Sequence, residues 1–515
     1  MKAWPKYPVI YEINTWVWLG ELGRKHRSPV NLATVPEEEW DAIAARGFDA
    51  VWLMGVWERS PTGICISMQN AGLVEDFKRA LPDFAPKDNV GSPYCVRNYG
   101  VDKHLGGPDG LATARNMLRE RGLRLILDFV PNHVAPDHPW VNTHPEYFVQ
   151  GNADDARKDP ASFFDAGTVF ARGRDPYFPA WPDVLQLNAF QSGLRQAVIK
   201  TILDIAEQCD GIRCDMAMLM LNNIFARTWG PRAGKKPVDE YWTTVISVIK
   251  GMHPEFRFIA EAYWDLEWEL QQNGFDFCYD KKLYDRMNNE NPEIARLHLM
   301  ADFSYQQKMV RFIENHDEPR AAATFPDGKG RAAALAILTL MGAKLLHEGQ
   351  FEGRKVRLPV FLGRPAAEPV DHDLAAFYGR LLKAIDRDVF RNGEWRLCER
   401  SGWPDNQSCQ RVLAWCWARD DERWLIVINF GEEAAQALVH VPWDGMRGKE
   451  WRLNDALSDE IYDRSGSDMR DAGLYVDLAG WKYNLFQMRA LPEPCGACSN
   501  NRQHRLKPVP VEIVN

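Results

Sequence analysis

One step recurs along the first 350 residues and limits the fold more than any other feature. It consists of an amphipathic helical segment, then a glycine or short polar turn, then a short apolar run. Pro36 to Arg46 reads as a helix, with Pro36 and three glutamates suiting its start, and leads through Gly47 into an apolar strand at Phe48 to Met54. Leu111 to Arg121, closed by Gly122, leads into Leu123 to Val130 in the same way. Leu194 to Cys209 feeds Gly211 to Asp215, and Val238 to Met252 feeds Phe256 to Glu261. Ile294 to Lys308 feeds Val310 to Asn315, and Arg331 to Met341 feeds Ala343 to His347. A further short strand is expected near Phe275 to Tyr279, and Val9 to Ile13 reads as the first strand, followed by a Trp-rich turn. Strands fed by helices pair in parallel. Eight of them predict an α/β chain closed into a (β/α)8 TIM barrel rather than an open sheet.

The barrel is expected over residues 1–390, interrupted by an inserted subdomain at 134–191. That connection is too long for an ordinary barrel loop and is rich in Pro, Asp, Trp and Phe. After about Arg391 the pattern changes to short aromatic or β-branched runs between turns, at Arg411 to Trp417, Arg423 to Asn429, Gln436 to His440 and Gly473 to Leu478. Residues 391–490 are therefore expected to form a C-terminal antiparallel β domain. The stretch 491–515, with four prolines and little periodicity, is expected to be a poorly ordered tail.

Composition narrows the partners. With 62 basic and 71 acidic residues the net charge is −9, which argues against a nucleic-acid backbone or an anionic membrane as partner. No run of about 18 apolar residues suggests a membrane span, and the N-terminus lacks a signal-peptide pattern. Ten scattered cysteines form no disulfide-like framework, so a cytoplasmic location with reduced thiols is expected. Cys495 and Cys498 form a lone CxxC, which does not make a zinc site. Oligomeric state is not legible from these residues.

The chemistry lies at the strand ends. In Gly211 to Met218, GIRCDMAM, Arg213 and Asp215 alternate with Ile212 and Cys214, so both charges project from one face. An arginine there can hold the carboxylate ionised, as a carboxylate nucleophile requires, although a structural ion pair would look the same. Other strand ends supply Asp128, Asn132 and His133 in LILDFVPNH, Glu261 in FRFIAEAYW, and His316 and Asp317 in VRFIENHDE. Barrel active sites sit at the face where strands end, so these acids and histidines are expected to converge on one mouth. Retaining glycoside hydrolysis uses such a set: one carboxylate attacks the anomeric carbon and an acid about 5 Å away protonates the leaving oxygen. Asp215 suits the nucleophile, Glu261 among apolar neighbours suits the proton donor, and Asp317 could stabilise the developing charge. His133 and His316 would donate to sugar hydroxyls, and no HExxH-like spacing makes either a metal ligand.

DFVPNH, GIRCDMAM, FIAEAYW and FIENHD, in this order, resemble the four short sequence regions of the α-amylase family of glycoside hydrolases; VIYEI and SPYCVRNYGVDKHLGG are similar to it as well. The resemblance covers roughly residues 8 to 350. It implies Asp215 as nucleophile, Glu261 as acid/base, Asp317 as transition-state stabiliser, Arg213, His133 and His316 around the bound sugar, and Tyr94 as a stacking platform. It implies an α-linked gluco-oligosaccharide or glucan as substrate. The acceptor can be water or a second sugar, so a hydrolase and a transglycosylase (glucanotransferase) both fit. A catalytically silent carbohydrate-binding protein would be expected to lack one of the three acids.

Two departures from the family pattern stand out. Met218 and Leu219 occupy positions where many α-amylases carry Lys and His, which is expected to make the acceptor side more apolar. WPDVLQLN places Gln186, with Asp183 nearby, where calcium-binding members have an aspartate. Asn132 matches another calcium position, but neutral ligands are weak for a hard cation. No required metal or cofactor is therefore expected, and a structural calcium has little support.

Overall fold

The computed structural model describes residues 3–289 and 291–492. Eight parallel strands close into a barrel: β1 (Val9–Asn14), β2 (Ala50–Met54), β3 (Arg124–Phe129), β4 (Gly211–Cys214), β5 (Arg257–Ala260), β6 (Phe277–Tyr279), β7 (Met309–Arg311) and β8 (Ala343–His347), with β1 hydrogen-bonded to both β2 and β8. Every residue of β2, β3, β4 and β8 is buried, as expected for strands covered on both faces. The glycines between helix and strand have a physical basis. Gly47 and Gly122 stand just beyond helices Glu37–Ala44 and Gly107–Glu120 with φ of 75° and 78°, the left-handed conformation that ends a helix and turns the chain toward the next strand. A Cβ on Gly47 would also lie 2.7 Å from Asp386 Cγ.

Two expectations are corrected. The segment after β1 is not a turn but a helix, Thr15–His26, N-capped by Asn14, whose side chain accepts from the Val17 N–H. Its tryptophans, Trp16 and Trp18, pack partly buried against the barrel and obscure the helical period. The helix expected over Ile294 to Lys308 is two helices, Pro292–Leu299 and Phe303–Gln306. Asp302 starts the second by accepting from Ser304 N–H.

Between β3 and helix Ser192–Ala206 the chain runs as irregular backbone with short helices, Trp140–Thr143 and Ala153–Lys158, and two short antiparallel ladders. His133–Val134 pairs with Leu185–Gln186, and Phe163–Asp165 with Val169–Ala171. The strands beyond residue 393 form a six-stranded and a three-stranded sheet; within each, every pairing is antiparallel. The larger sheet docks on the barrel through buried tryptophans. Trp415 Nε1 donates to Thr339 Oγ1 at 3.2 Å and Trp417 Nε1 to Thr339 O at 2.6 Å. Among the described residues no helix is long and apolar enough to cross a membrane. The 491–515 tail lies outside the described residues beyond Pro492, and with it Cys495 and Cys498.

Candidate active site

The parallel register sets the site. Arg213 on β4 pairs with Asp128 on β3 and Ile259 on β5, so residues just past the ends of these strands face one another across the mouth. Asp215 follows β4 by one residue and Glu261 follows β5 by one residue. Arg213, 1% exposed, joins them: Nη1 donates to Asp215 Oδ1 at 2.6 Å, and Nη2 lies 2.8 Å from Glu261 Oε2, off the line of a hydrogen bond. The guanidinium is itself cradled by Trp52, Tyr94 and Tyr279, whose ring centroids lie 5.4, 5.2 and 5.7 Å from its carbon.

Glu261 is held from two further sides. Met216 N–H donates to its Oε2 at 2.6 Å, and Tyr263 Oη donates to its Oε1 at 2.9 Å. Burial dominates its titration and, against the pull of Arg213, raises its pKa to about 7. Burial also raises the pKa of Asp215, with Arg213 opposing it through both charge and hydrogen bond. Asp317, beyond β7, is the open member of the three, its side chain 43% exposed. Its carboxylate lies 2.9 Å from His316 Nε2, and this partner outweighs burial to bring its pKa down to about 2. Three carboxyl groups at one mouth thus have differentiated acidities, the condition for dividing acid and base roles.

His316 is buried with its ring stacked on Tyr94, centroids 5.4 Å apart, and Nε2 lies 2.7 Å from Tyr94 Oη. His133 is buried beside Trp181, centroids 5.2 Å apart, and contacts the Tyr94 backbone. Burial lowers its pKa to about 4, so its ring is neutral near pH 7. The structure therefore links Asp215, Glu261, Asp317, Arg213, His316, His133 and Tyr94 by direct contacts.

Asp128 accepts from Trp52 Nε1 at 3.2 Å and Gly55 N–H at 2.8 Å and so braces the barrel mouth. Tyr99 Oη donates to Val130 O at 3.1 Å and so braces backbone. His347 Nδ1 lies 2.7 Å from Arg320 Nη1, inside a buried network with Glu314. Met218 and Leu219 do not form an apolar acceptor surface. They are 0% and 2% exposed, turned into the core by the tight turn Ala217–Met220, whose Ala217 O accepts from Trp242 Nε1 at 2.7 Å.

The aromatic surface near Glu261 comes instead from Trp264, three residues after it, and from Tyr177 of the inserted segment. Trp264 and Asp265 have consecutive left-handed backbones, φ 64° and 61°, and Trp264 meets Tyr177 of the inserted segment edge to face at 4.8 Å. Glu12 on β1 is new: it is fully buried and hydrogen-bonded to His316 Nδ1. A charged residue inside the apolar run VIYEI was the available signal.

The residues at the family's calcium position do not fit a cation. Gln186 Nε2 donates to Asn132 Oδ1, Asn132 O and Leu187 O at 2.8, 2.9 and 3.0 Å. The amide hydrogens already point at the oxygens that a metal would require. Asp183 stands apart from this network, burial raising its pKa to about 6. Among the described residues no cluster of three or more His, Cys, Asp or Glu could hold a metal ion.

No family model matches the chain. It is 23% identical over 492 residues to the α-amylase MalA of Haloarcula japonica, covering 92% of this chain and 61% of that protein. It is 29% identical over 230 residues to an α-1,4-glucan:maltose-1-phosphate maltosyltransferase of Bifidobacterium longum, covering 43% of this chain and 25% of that one. The chain thus spans less than two thirds of the length of either relative. Among solved structures, the fold is similar to a maltogenic α-amylase, AmyB, of Thermotoga neapolitana, with TM-score 0.67 and 21% identity over 95% of this chain and 99% of that one. It is also similar to an α-amylase of Geobacillus thermoleovorans complexed with acarbose, with TM-score 0.65 and 17% identity over 95% and 99% of the two chains. At these identities the structural likeness establishes the fold.

Proposed function

We propose that this chain is a member of the α-amylase family of glycoside hydrolases and a retaining enzyme acting on α-linked gluco-oligosaccharides or glucans. The observation that carries the reading is the single Arg213 guanidinium reaching both Asp215, at 2.6 Å, and Glu261, at 2.8 Å, which gathers the two carboxyl groups on one cation as a retaining pair would need. An Asp215 oxygen attacks the anomeric carbon as the bond to the leaving oxygen breaks, and Glu261 gives its proton to that oxygen. The acceptor hydroxyl then returns a proton to Glu261 as its oxygen displaces Asp215, restoring both carboxyl groups. Glu261 with a pKa raised to about 7 is suited to donate, and Asp317, ionised beside His316, is suited to stabilise positive charge at the ring. His133 and His316 are assigned to sugar hydroxyls and Tyr94 to the wall against which the sugar rests.

A second reading is transfer to a sugar acceptor. Trp264 and Tyr177 near Glu261 favour it, because aromatic faces bind a sugar and exclude water from the intermediate. The chemistry requires no cofactor or metal. A cytoplasmic location is supported by the eight described cysteines, all free thiols and all but Cys65 buried.

The test is chain-length analysis of products from maltooligosaccharides with wild type and Asp215→Asn. Shorter products alone from wild type, and none from the variant, indicate hydrolysis; longer products as well indicate transfer. No turnover by wild type on any α-glucan rejects the reading.

A further inference from the structure

The base of the site contains a carboxylate outside the three acids discussed above. Glu12 projects into the barrel from β1, in register with Trp52 on β2 and His347 on β8, and is 0% exposed. Its Oε1 is hydrogen-bonded to His316 Nδ1, while Oε2 has no hydrogen-bond partner. On the opposite edge of the ring, Nε2 lies 2.9 Å from Asp317 Oδ2 and 2.7 Å from Tyr94 Oη. The imidazole is thus clamped between two carboxyl groups, with the Trp52 ring edge-on at 5.5 Å.

A purely structural role explains this poorly. Burying a carboxyl group with one oxygen unpartnered disfavours folding, and an apolar side chain of similar size would fill the space at less cost. What the arrangement does achieve is to define the proton inventory of the ring. A neutral imidazole carries one N–H. If it pointed that hydrogen at Glu12, its Nε2 lone pair would accept from Tyr94 Oη and the ring would place no charge beside Asp317. Only the imidazolium keeps a hydrogen on both ring edges and a positive charge between the two carboxyl groups.

We propose that Glu12 is a positioning residue for catalysis, which keeps His316 doubly protonated so that a positive charge stays 2.9 Å from Asp317 Oδ2. This rests on the glycosidase reading above and adds a residue to it. The other charged and titratable groups facing the ring are Asp317 beside it, Asp215 and Arg213 from the β4 end, Asp128 from β3 and Tyr94 from the loop above. Burial works against the charged ring, but Asp317 and Glu12 together raise its pKa well above the ordinary histidine value. Removing the Glu12 charge removes one of these two supports. The ring then loses a proton as pH rises, and Asp317 loses its paired charge.

Two measurements on Glu12→Gln test this. The first reads His316 directly, without substrate, from the ring nitrogen resonances of 15N-histidine-labelled protein, assigned with His316→Gln. Both nitrogens should stay protonated well above the pH at which an ordinary histidine titrates in wild type, with the deprotonation midpoint at least about one pH unit lower in Glu12→Gln. The second is the pH dependence of kcat/KM on a maltooligosaccharide. The loss caused by Glu12→Gln should grow at least about tenfold between pH 6 and pH 9, where a packing defect would lower the rate equally at every pH. Glu12→Leu, which cannot accept from Nδ1–H, should lose activity across the whole range. A His316 titration that Glu12→Gln leaves unmoved overturns the proposal, even if the enzyme is an active glycosidase. If wild type turns over no α-glucan while the nitrogen shifts behave as expected, the function assigned to the site fails and the Glu12–His316 coupling stands.

Discussion

The backbone N–H of Met216 donates to Glu261 Oε2 at 2.6 Å, so the residue that follows one carboxylate holds the other. Met216 reaches this position in a left-handed conformation, φ 41° and ψ 45°, uncommon for a residue with a side chain. The turn after β4 therefore ties the nucleophile candidate and the acid candidate into one unit.

Replacing Glu261 by Gln keeps the shape and removes the proton donor. The expected loss in kcat/KM on maltotriose is about 10²–10⁴-fold, the usual range for general acid catalysis. On maltosyl fluoride, whose leaving group needs little protonation, the loss should be far smaller. A wild-type alkaline limb near the pKa of about 7 should accompany the maltotriose reaction. Equal losses on both substrates would remove Glu261 from the acid role.

The contribution of three buried carboxyl groups to stability should fall as pH rises from about 4.5 to 8. Burial raises the pKa of Glu348 to about 8, Glu261 to about 7 and Asp128 to about 6. The folded chain holds protons that the unfolded chain has released, so the contribution is complete below the unfolded pKa values and is lost as pH passes the folded ones. Thermal denaturation of wild type and Glu348→Gln at pH 5 and pH 8 checks this. The substitution should flatten the decline, by an amount on the order of a few kcal/mol at pH 8.

The amide of Gln186 does at the base of the inserted segment what a cation would otherwise do. Chelator and added calcium should both leave the wild-type melting temperature unchanged. Gln186→Ala should destabilise by about 1–3 kcal/mol, because it leaves Asn132 Oδ1 and Asn132 O buried without this donor. A chelator-induced drop in melting temperature would reject this account.

Trp264→Ala removes the edge contact with Tyr177 and one wall beside the acid. If that wall excludes water from the intermediate, the ratio of elongated to shortened products from maltotetraose should fall at least about threefold, a shift of about 0.7 kcal/mol. An unchanged ratio, with the same total turnover, would separate the aromatic pair from acceptor choice.

Repetition made the barrel legible. Each helix, glycine and apolar strand solves the same local problem, and even the short β6 at Phe277–Tyr279 falls inside the expected stretch. The helix Thr15–His26 was hidden because four aromatic or bulky apolar residues crowd its first turns. The break at Asp302 was hidden because a cap and an exposed polar helical position look alike in a linear pattern.

The strand-end acids were legible because a carboxylate after an apolar run is costly unless it is paired or used. The partners of those acids were less so. Arg213 and Asp215 are two residues apart, so alternation along one strand predicted their contact. Glu12 and His316 are separated by 304 residues and meet only because β1 closes the barrel beside β8 and near the β7 end. Met218 and Leu219 show the converse error: their positions suggested the cleft, but the Ala217–Met220 turn rotated them into the core.

The amino-acid sequence by itself thus determined the barrel, the strand ends and the identity of the acids, because period, glycine placement and isolated charge are properties of neighbouring residues. Tertiary structure alone decided which acid is desolvated, which is paired with a histidine and which buried groups meet. Those depend on dielectric surroundings and on contacts made across the closed barrel, and such contacts leave no trace in local order.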